Sequence, residues 1–113
     1  MTFRAAYLQT VPVRVVDLAC HAVLAVVLPG PWWWQYLPDV ALPAVWVHSW
    51  RTDTFLGPSS RRLAAHRALH LRGEVGVAML LVLAVPWAVW PGLGVHWLAH
   101  VLVDRCTHDG RWQ

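Results

Sequence analysis

Apolar residues occupy four long runs of the chain, and short polar or proline-rich stretches separate these runs. The first run, residues 11–28, stops at Pro29-Gly30-Pro31, and the second covers residues 32–50. The third, residues 73–91, has no charged residue between 75 and 90, and the fourth extends from residue 92 to about 105. Because roughly 20 apolar residues cross a bilayer, the pattern predicts an all-α membrane protein, a bundle of about four transmembrane or re-entrant helices.

The second run differs from the others in carrying aromatic residues and prolines. It opens with three consecutive tryptophans at 32–34, which is typical of a membrane interface. Pro38 and Pro43 each remove a backbone hydrogen bond, so we expect a broken or re-entrant helix here.

The connection at residues 51–72 is basic, with five arginines against the single acid Asp53. Ser60 is a good N-cap for a short helix at 61–71. Arginine-rich loops stay on the cytoplasmic side of a membrane. Four crossings then place the N-terminus and the C-terminus on that side as well.

Composition agrees with a membrane protein of one domain, residues 1–113. Of the 113 residues, 58% are hydrophobic and 13% are charged. The high apolar fraction excludes a disordered chain. The charged residues are too few to cover the surface of a small soluble domain. The net charge of +3 does not indicate nucleic-acid binding, because the arginines flank apolar runs instead of forming a basic domain.

Membrane lipids are the expected partners, and a homodimer is an option for so thin a bundle. The first twelve residues lack the apolar core of a cleavable signal peptide, so none is expected.

Ionisable residues recur at a spacing of four within the apolar runs. In the fourth run, His96, His100 and Asp104 lie on one helix face, and His108 continues the spacing. Imidazole and carboxylate groups one turn apart can converge on one metal ion, and this donor set suits Zn, Mn or Fe. The alternative is that these groups make hydrogen bonds between helices.

Two further acidic positions allow two interpretations each. Asp17 and His21 repeat the spacing of four; His21 is a candidate ligand, whereas Asp17 could instead pair with Arg14. Asp39 follows the break near the tryptophans, where it could bind a metal or cap the next helix. His48 is a weaker ligand candidate.

The short basic helix carries His66, Arg67 and His70, and the two histidines share a face. Arg67 could hold a phosphate or carboxylate, because a guanidinium binds such oxygens in pairs. The alternative is a solvated basic face next to anionic lipid headgroups.

Taken in order, these elements resemble the membrane-bound predicted metal-dependent hydrolases of the bacterial inner membrane, a family that includes LexA-regulated proteins. The matching elements are an early histidine, a Leu-Pro-Asp element, a His-Arg element with a second histidine, and a late His-x-x-x-Asp followed by Thr. In this chain they are His21, Leu37-Pro38-Asp39, His66-Arg67 with His70, and His100 to Asp104 with Thr107. The resemblance implies a short, divergent member located in the bacterial cytoplasmic membrane.

Two functions are therefore considered. The first is a membrane-embedded metal-dependent hydrolase acting on a lipid-type phosphoester, with Asp39 and Arg67 as catalytic residues. Its divalent ion, Zn, Mn or Fe, would be bound by the intramembrane and loop residues His21, Asp39, His66, His70, His96, His100 and Asp104. The alternative is a non-catalytic small membrane protein, either an accessory subunit or a carrier of haem or a metal ion.

Overall fold

Prolines, glycines and capping residues divide the chain into short helices. The computed structural model describes residues 2–57, 59–72 and 91–107, and these residues contain five α-helices, one 3-10 helix and no strand. The all-α prediction is confirmed. In chain order the helices are α1 (Phe3–Gln9), α2 (Val11–Val27), the 3-10 helix (Trp32–Asp39), α3 (Leu42–Thr52), α4 (Arg61–Leu69) and α5 (Pro91–Thr107).

The helix ends follow from local chemistry. The Ser60 hydroxyl accepts the amide hydrogen of Leu63 and caps α4, as predicted. Helix α2 ends at Val27, just before the Pro-Gly-Pro turn. Gly30 has φ +103° in that turn, and a Cβ there would overlap the indole of Trp34, so only glycine fits.

The predicted break in the second apolar run is confirmed. The 3-10 helix ends at Asp39, and α3 begins at Leu42 after two turn residues. Residues 73–90 of the third apolar run, which is the cleanest predicted membrane crossing, lie outside the described residues, as does His108.

Three elements surround the centre of the structure, namely α2, the 3-10 helix and α5, which pack against one another. Helix α4 closes one side of this group against the 3-10 helix, and α3 packs beside α4. The end of α4 is joined to α5 by a hydrogen bond of 2.7 Å from Trp97 Nε1 to the Leu69 carbonyl oxygen. The apolar core at this contact is small and consists of Trp97 and Val101 with partly buried leucines around them.

Burial is inverted compared with an ordinary soluble domain. Among the described residues, nine buried side chains are polar or charged, and eight, including Pro38, are apolar. Helix α2 exposes an apolar face to the outside. Four of its side chains are each more than half exposed, namely Val16, Leu18, Val23 and Val26. Exposed apolar surface of this extent is typical of protein–protein or membrane interaction sites.

Length limits what each helix can span. Across the described residues, no helix by itself combines the length and the apolar character needed to cross a bilayer. Helices α1 and α2, which meet at a bend of 66°, reach both requirements only when taken together.

Candidate metal centre

Four side chains from three elements converge beneath α2. Asp39 comes from the end of the 3-10 helix, His70 from the C-cap of α4, and His100 and Asp104 from successive turns of α5. Their potential ligand atoms all lie within 4.8 Å of one another. We call Asp39, His70, His100 and Asp104 the four-ligand group.

The contacts within the four-ligand group are short. His70 Nε2 lies 2.9 Å from Asp104 Oδ2 and 3.1 Å from Asp39 Oδ1. His100 Nε2 lies 3.0 Å from the same Asp104 oxygen, and the two Nε2 atoms are 3.1 Å apart. Two imidazole nitrogens and two carboxylates therefore face one point, which is the donor arrangement that a divalent ion such as zinc takes.

Hydrogen bonds at the far side of each ring determine which nitrogen faces this point. His100 Nδ1 donates to the Gln35 carbonyl oxygen at 2.7 Å, and His70 Nδ1 donates to the His66 carbonyl oxygen at 2.9 Å. A carbonyl only accepts, so each Nδ1 carries the hydrogen and each Nε2 keeps its lone pair for a cation. Metal-binding histidines are anchored in the same way in known sites.

A second group shares Asp104. His21 Nε2 lies 2.8 Å from Asp104 Oδ1 and 3.3 Å from Asp17 Oδ1. Asp17 Oδ1 also accepts a hydrogen bond of 2.6 Å from the Thr107 hydroxyl. We call Asp17, His21 and Asp104 the three-ligand group; their ligand atoms also lie within 4.8 Å of one another.

The fully buried side chain of Gln35 links the three-ligand group to His96. Its Nε2 is 3.2 Å from His21 Nδ1, and its Oε1 is 3.1 Å from His96 Nδ1. Rotating the amide by half a turn exchanges its donor and its acceptor. In that orientation His21 Nδ1 donates to the amide oxygen, and His21 Nε2 becomes available as a ligand.

The two histidines of α4 have opposite pKa shifts. Burial lowers the pKa of His70, but hydrogen bonds to Asp104 and Asp39 outweigh burial and raise it to about 9. Burial lowers the pKa of His66 to about 4, and the neighbouring His70 contributes in the same direction. A proton therefore occupies the four-ligand group at neutral pH when no other cation does.

A cavity of about 170 Å³ opens beside the two groups. Asp17, Asp39 and Asp104 all reach it, as do His21 and His66. Its remaining described lining consists of Tyr7, Arg14, Leu18, Tyr36 and Leu42.

Arg14 brings a positive charge to the cavity wall. Its guanidinium lies over the Tyr7 ring, 3.9 Å from the centroid, and its Nε donates to the Thr10 hydroxyl at 3.1 Å. Arg67, the arginine singled out in the sequence, is not among the described residues that line the cavity.

Five of the predicted ligands meet at the centre, namely His21, Asp39, His70, His100 and Asp104. His66 lies next to them, with its ring 4.2 Å from that of His70, but belongs to neither group. His96 is fully buried and contacts Gln35 instead of the ligand atoms.

The alternative role of Asp39 as a helix cap is not seen. The N-cap of α3 is Ala41, and no side chain accepts a hydrogen bond there. Asp39 contacts His70 and His100 instead.

Three residues of the site were given less weight or missed in the sequence. For Asp17 the sequence left a ligand role and pairing with Arg14 both open, although its spacing of four from His21 is the same as that of His100 and Asp104. Gln35 and Arg14 carried no local signal, because their roles depend on elements distant in the chain.

No family model matches the chain, and searches of curated proteins and of solved structures gave no match either. The family resemblance therefore stays a prediction based on the residues alone.

Proposed function

We propose that this chain is a membrane-embedded, metal-dependent hydrolase-like protein whose divalent ion is bound by the four-ligand group. The observation that carries the proposal is the convergence of His70 Nε2 and His100 Nε2 on Asp39 and Asp104, with both Nδ1 atoms held by carbonyl oxygens. Nitrogen and oxygen donors of this kind suit Zn, Mn or Fe.

The membrane part of the proposal is supported by surface chemistry. The exposed valines and leucine of α2 form an apolar face, while Trp32 and Trp33 stand exposed at its far end, where an interfacial belt is expected. In this arrangement the four apolar runs form a bundle in the membrane, the basic connection faces the cytoplasm, and lipids surround the exposed face of α2.

The cavity suggests an anionic substrate. Arg14 places a guanidinium on the same wall as the carboxylates, and such a group binds phosphate oxygens in pairs. Arg14 therefore takes the anion-binding role that the sequence suggested for Arg67, and an ester of lipid-phosphate type is the substrate class we favour. A divalent ion bound here would supply hydroxide near neutral pH by lowering the pKa of a coordinated water.

His66 is placed to take a proton in that reaction. It is 2% exposed, lines the cavity, and its Nδ1 makes no hydrogen bond within the described residues. General bases need such proximity to the reacting group.

A non-catalytic ion-binding protein is the second candidate. Four protein ligands without an open position are typical of structural metal sites, and the four-ligand group has this composition. A haem carrier is disfavoured, because His21 and His96 contact the same Gln35 amide and leave no space for a macrocycle between them.

Elemental analysis of detergent-purified protein tests the proposal. We expect stoichiometric Zn, Mn or Fe in the wild type and its loss in His100→Gln and Asp104→Asn. His48→Gln is the matched control, because His48 belongs to neither ligand group. A wild type without stoichiometric metal would overturn the proposal.

Catalysis has its own assay, since an ion alone does not distinguish the two candidates. Phosphate release from phosphatidic acid in mixed micelles should depend on the metal and fall in Arg14→Gln while the metal content is kept. Metal binding without any hydrolysis would favour the ion-binding protein.

A further inference from the structure

We propose that the three-ligand group binds a second divalent ion and that the Asp104 carboxylate bridges the two ions. The inference rests on the proposed function, because it takes the four-ligand group to hold the first ion.

The two oxygens of Asp104 serve different partners. Oδ2 is 2.9 Å from His70 and 3.0 Å from His100, whereas Oδ1 is 2.8 Å from His21. Each carboxylate oxygen has lone pairs of its own, so both can act as ligands at once. Enzymes with two-ion sites hold the ions a few ångströms apart. The pair of ions stabilises both the attacking oxygen and the leaving oxygen of a displacement reaction.

The number of ligands differs between the groups in a way that separates their roles. The four-ligand group offers one atom from each of four side chains, and two of these side chains, His70 and His100, do not line the cavity. The three members of the three-ligand group, Asp17, His21 and Asp104, all line the cavity. Three protein ligands with an open position are typical of catalytic ions. The second ion would therefore have an open position that faces the cavity.

His66 is an independent sign that the cavity accommodates a cation or a polar ligand. Its side chain is buried and lines the same cavity as the three-ligand group. Its Nδ1 makes no hydrogen bond within the described part of the chain, although leaving a buried polar atom unpaired costs about 1–3 kcal/mol. A bound ion with its water would supply that partner.

Counting ions in matched variants tests this inference. Metal-stripped protein in detergent is loaded with Mn²⁺ and desalted, and the bound manganese is measured by mass spectrometry. We expect two ions per chain in the wild type, one in His21→Gln, and two in the control His48→Gln. Electron paramagnetic resonance should show spin coupling between the two ions in the wild type and an isolated ion in His21→Gln.

Asp17→Asn provides a second variant, because its amide oxygen still accepts the hydrogen bond of the Thr107 hydroxyl. It should also bind one ion, which keeps the test valid if His21→Gln does not fold. A wild type with one uncoupled ion would overturn the second ion and leave the proposed function intact. A wild type without any ion would overturn both, and a His21→Gln protein with two coupled ions would overturn the assignment of ligands.

Discussion

Removing the side-chain amide of Gln35 should destabilise the metal-free protein without changing its shape. Gln35→Met keeps the length and approximate volume of the side chain but can make neither of its hydrogen bonds. His21 Nδ1 and His96 Nδ1 would each lose a partner at 3.2 and 3.1 Å. Both imidazoles are at most 2% exposed, so water cannot replace the amide.

The size of the effect follows from these two groups. An unpaired buried polar group costs about 1–3 kcal/mol, so the free energy of unfolding should fall by at least about 2 kcal/mol. For a chain of this size, about 2 kcal/mol corresponds to a drop in Tm of roughly 8 °C.

Thermal unfolding of the metal-stripped protein, followed by tryptophan fluorescence in detergent, measures this drop. Gln9→Met is the matched control, because Gln9 is exposed on α1. If Gln35→Met and Gln9→Met shift the Tm equally, the hydrogen bonds of Gln35 do not stabilise the centre, and the reasoning fails.

The same variant should separate the two metal groups. The backbone carbonyl of Gln35 still anchors His100, so the four-ligand group should keep its affinity. Loss of such a supporting hydrogen bond costs about 10–100-fold in metal affinity, and here the loss should be confined to the ion beside His21.

Three other predictions concern pH, backbone strain and topology. In the metal-free protein, the folded pKa of His70 of about 9 lies above its unfolded value of 6.5. Its contribution to stability is therefore complete below pH 6.5 and is lost as the pH rises to 9. Urea midpoints should fall over this range in the wild type and fall by less in His70→Gln. Gly30→Ala should lower the unfolding free energy by about 1–3 kcal/mol, because a Cβ there clashes and φ is +103°. Gly57→Ala, where a Cβ meets nothing within 4 Å, should be close to neutral in the same urea titration. With Cys20 replaced by serine, an impermeant maleimide should label the exposed Cys106 in inverted vesicles and not in intact spheroplasts; the reverse pattern would contradict a cytoplasmic C-terminus.

Local spacing explains what could be predicted from the sequence. Residues four apart on a helix lie on one face whatever the rest of the fold does. The pair His100–Asp104 therefore predicted converging ligands, and both residues are found at the centre. His21 was predicted as a ligand from the same spacing, and it lies there together with Asp17. Pro38 and Pro43 likewise act on their own backbone, so the break in the second run was predictable.

Contacts across the fold could not be predicted in this way. His96 and His100 share one face of α5, but the 3-10 helix crosses that face so that the Gln35 side chain meets His96 and its backbone carbonyl meets His100. The sequence indicates the face and not the element that lies opposite. Arg14 and Arg67 are both arginines near predicted ligands, and which of them reaches the cavity depends on how α2 packs against its neighbours.

The inverted distribution of polarity makes cation binding a condition of the fold. Asp17 and Asp104 are buried and Asp39 is half-buried, while the outer face of α2 is apolar, so their charges are only poorly solvated. Without metal, the neighbouring imidazoles must carry protons, as His70 does, and three protonated histidines would balance the three carboxylates. Divalent ions can replace those protons only by releasing them, since a protonated imidazole has no lone pair for a metal. Metal loading should therefore expel protons from the centre, and the same six side chains serve as an ion-pair core when empty and as a ligand set when filled.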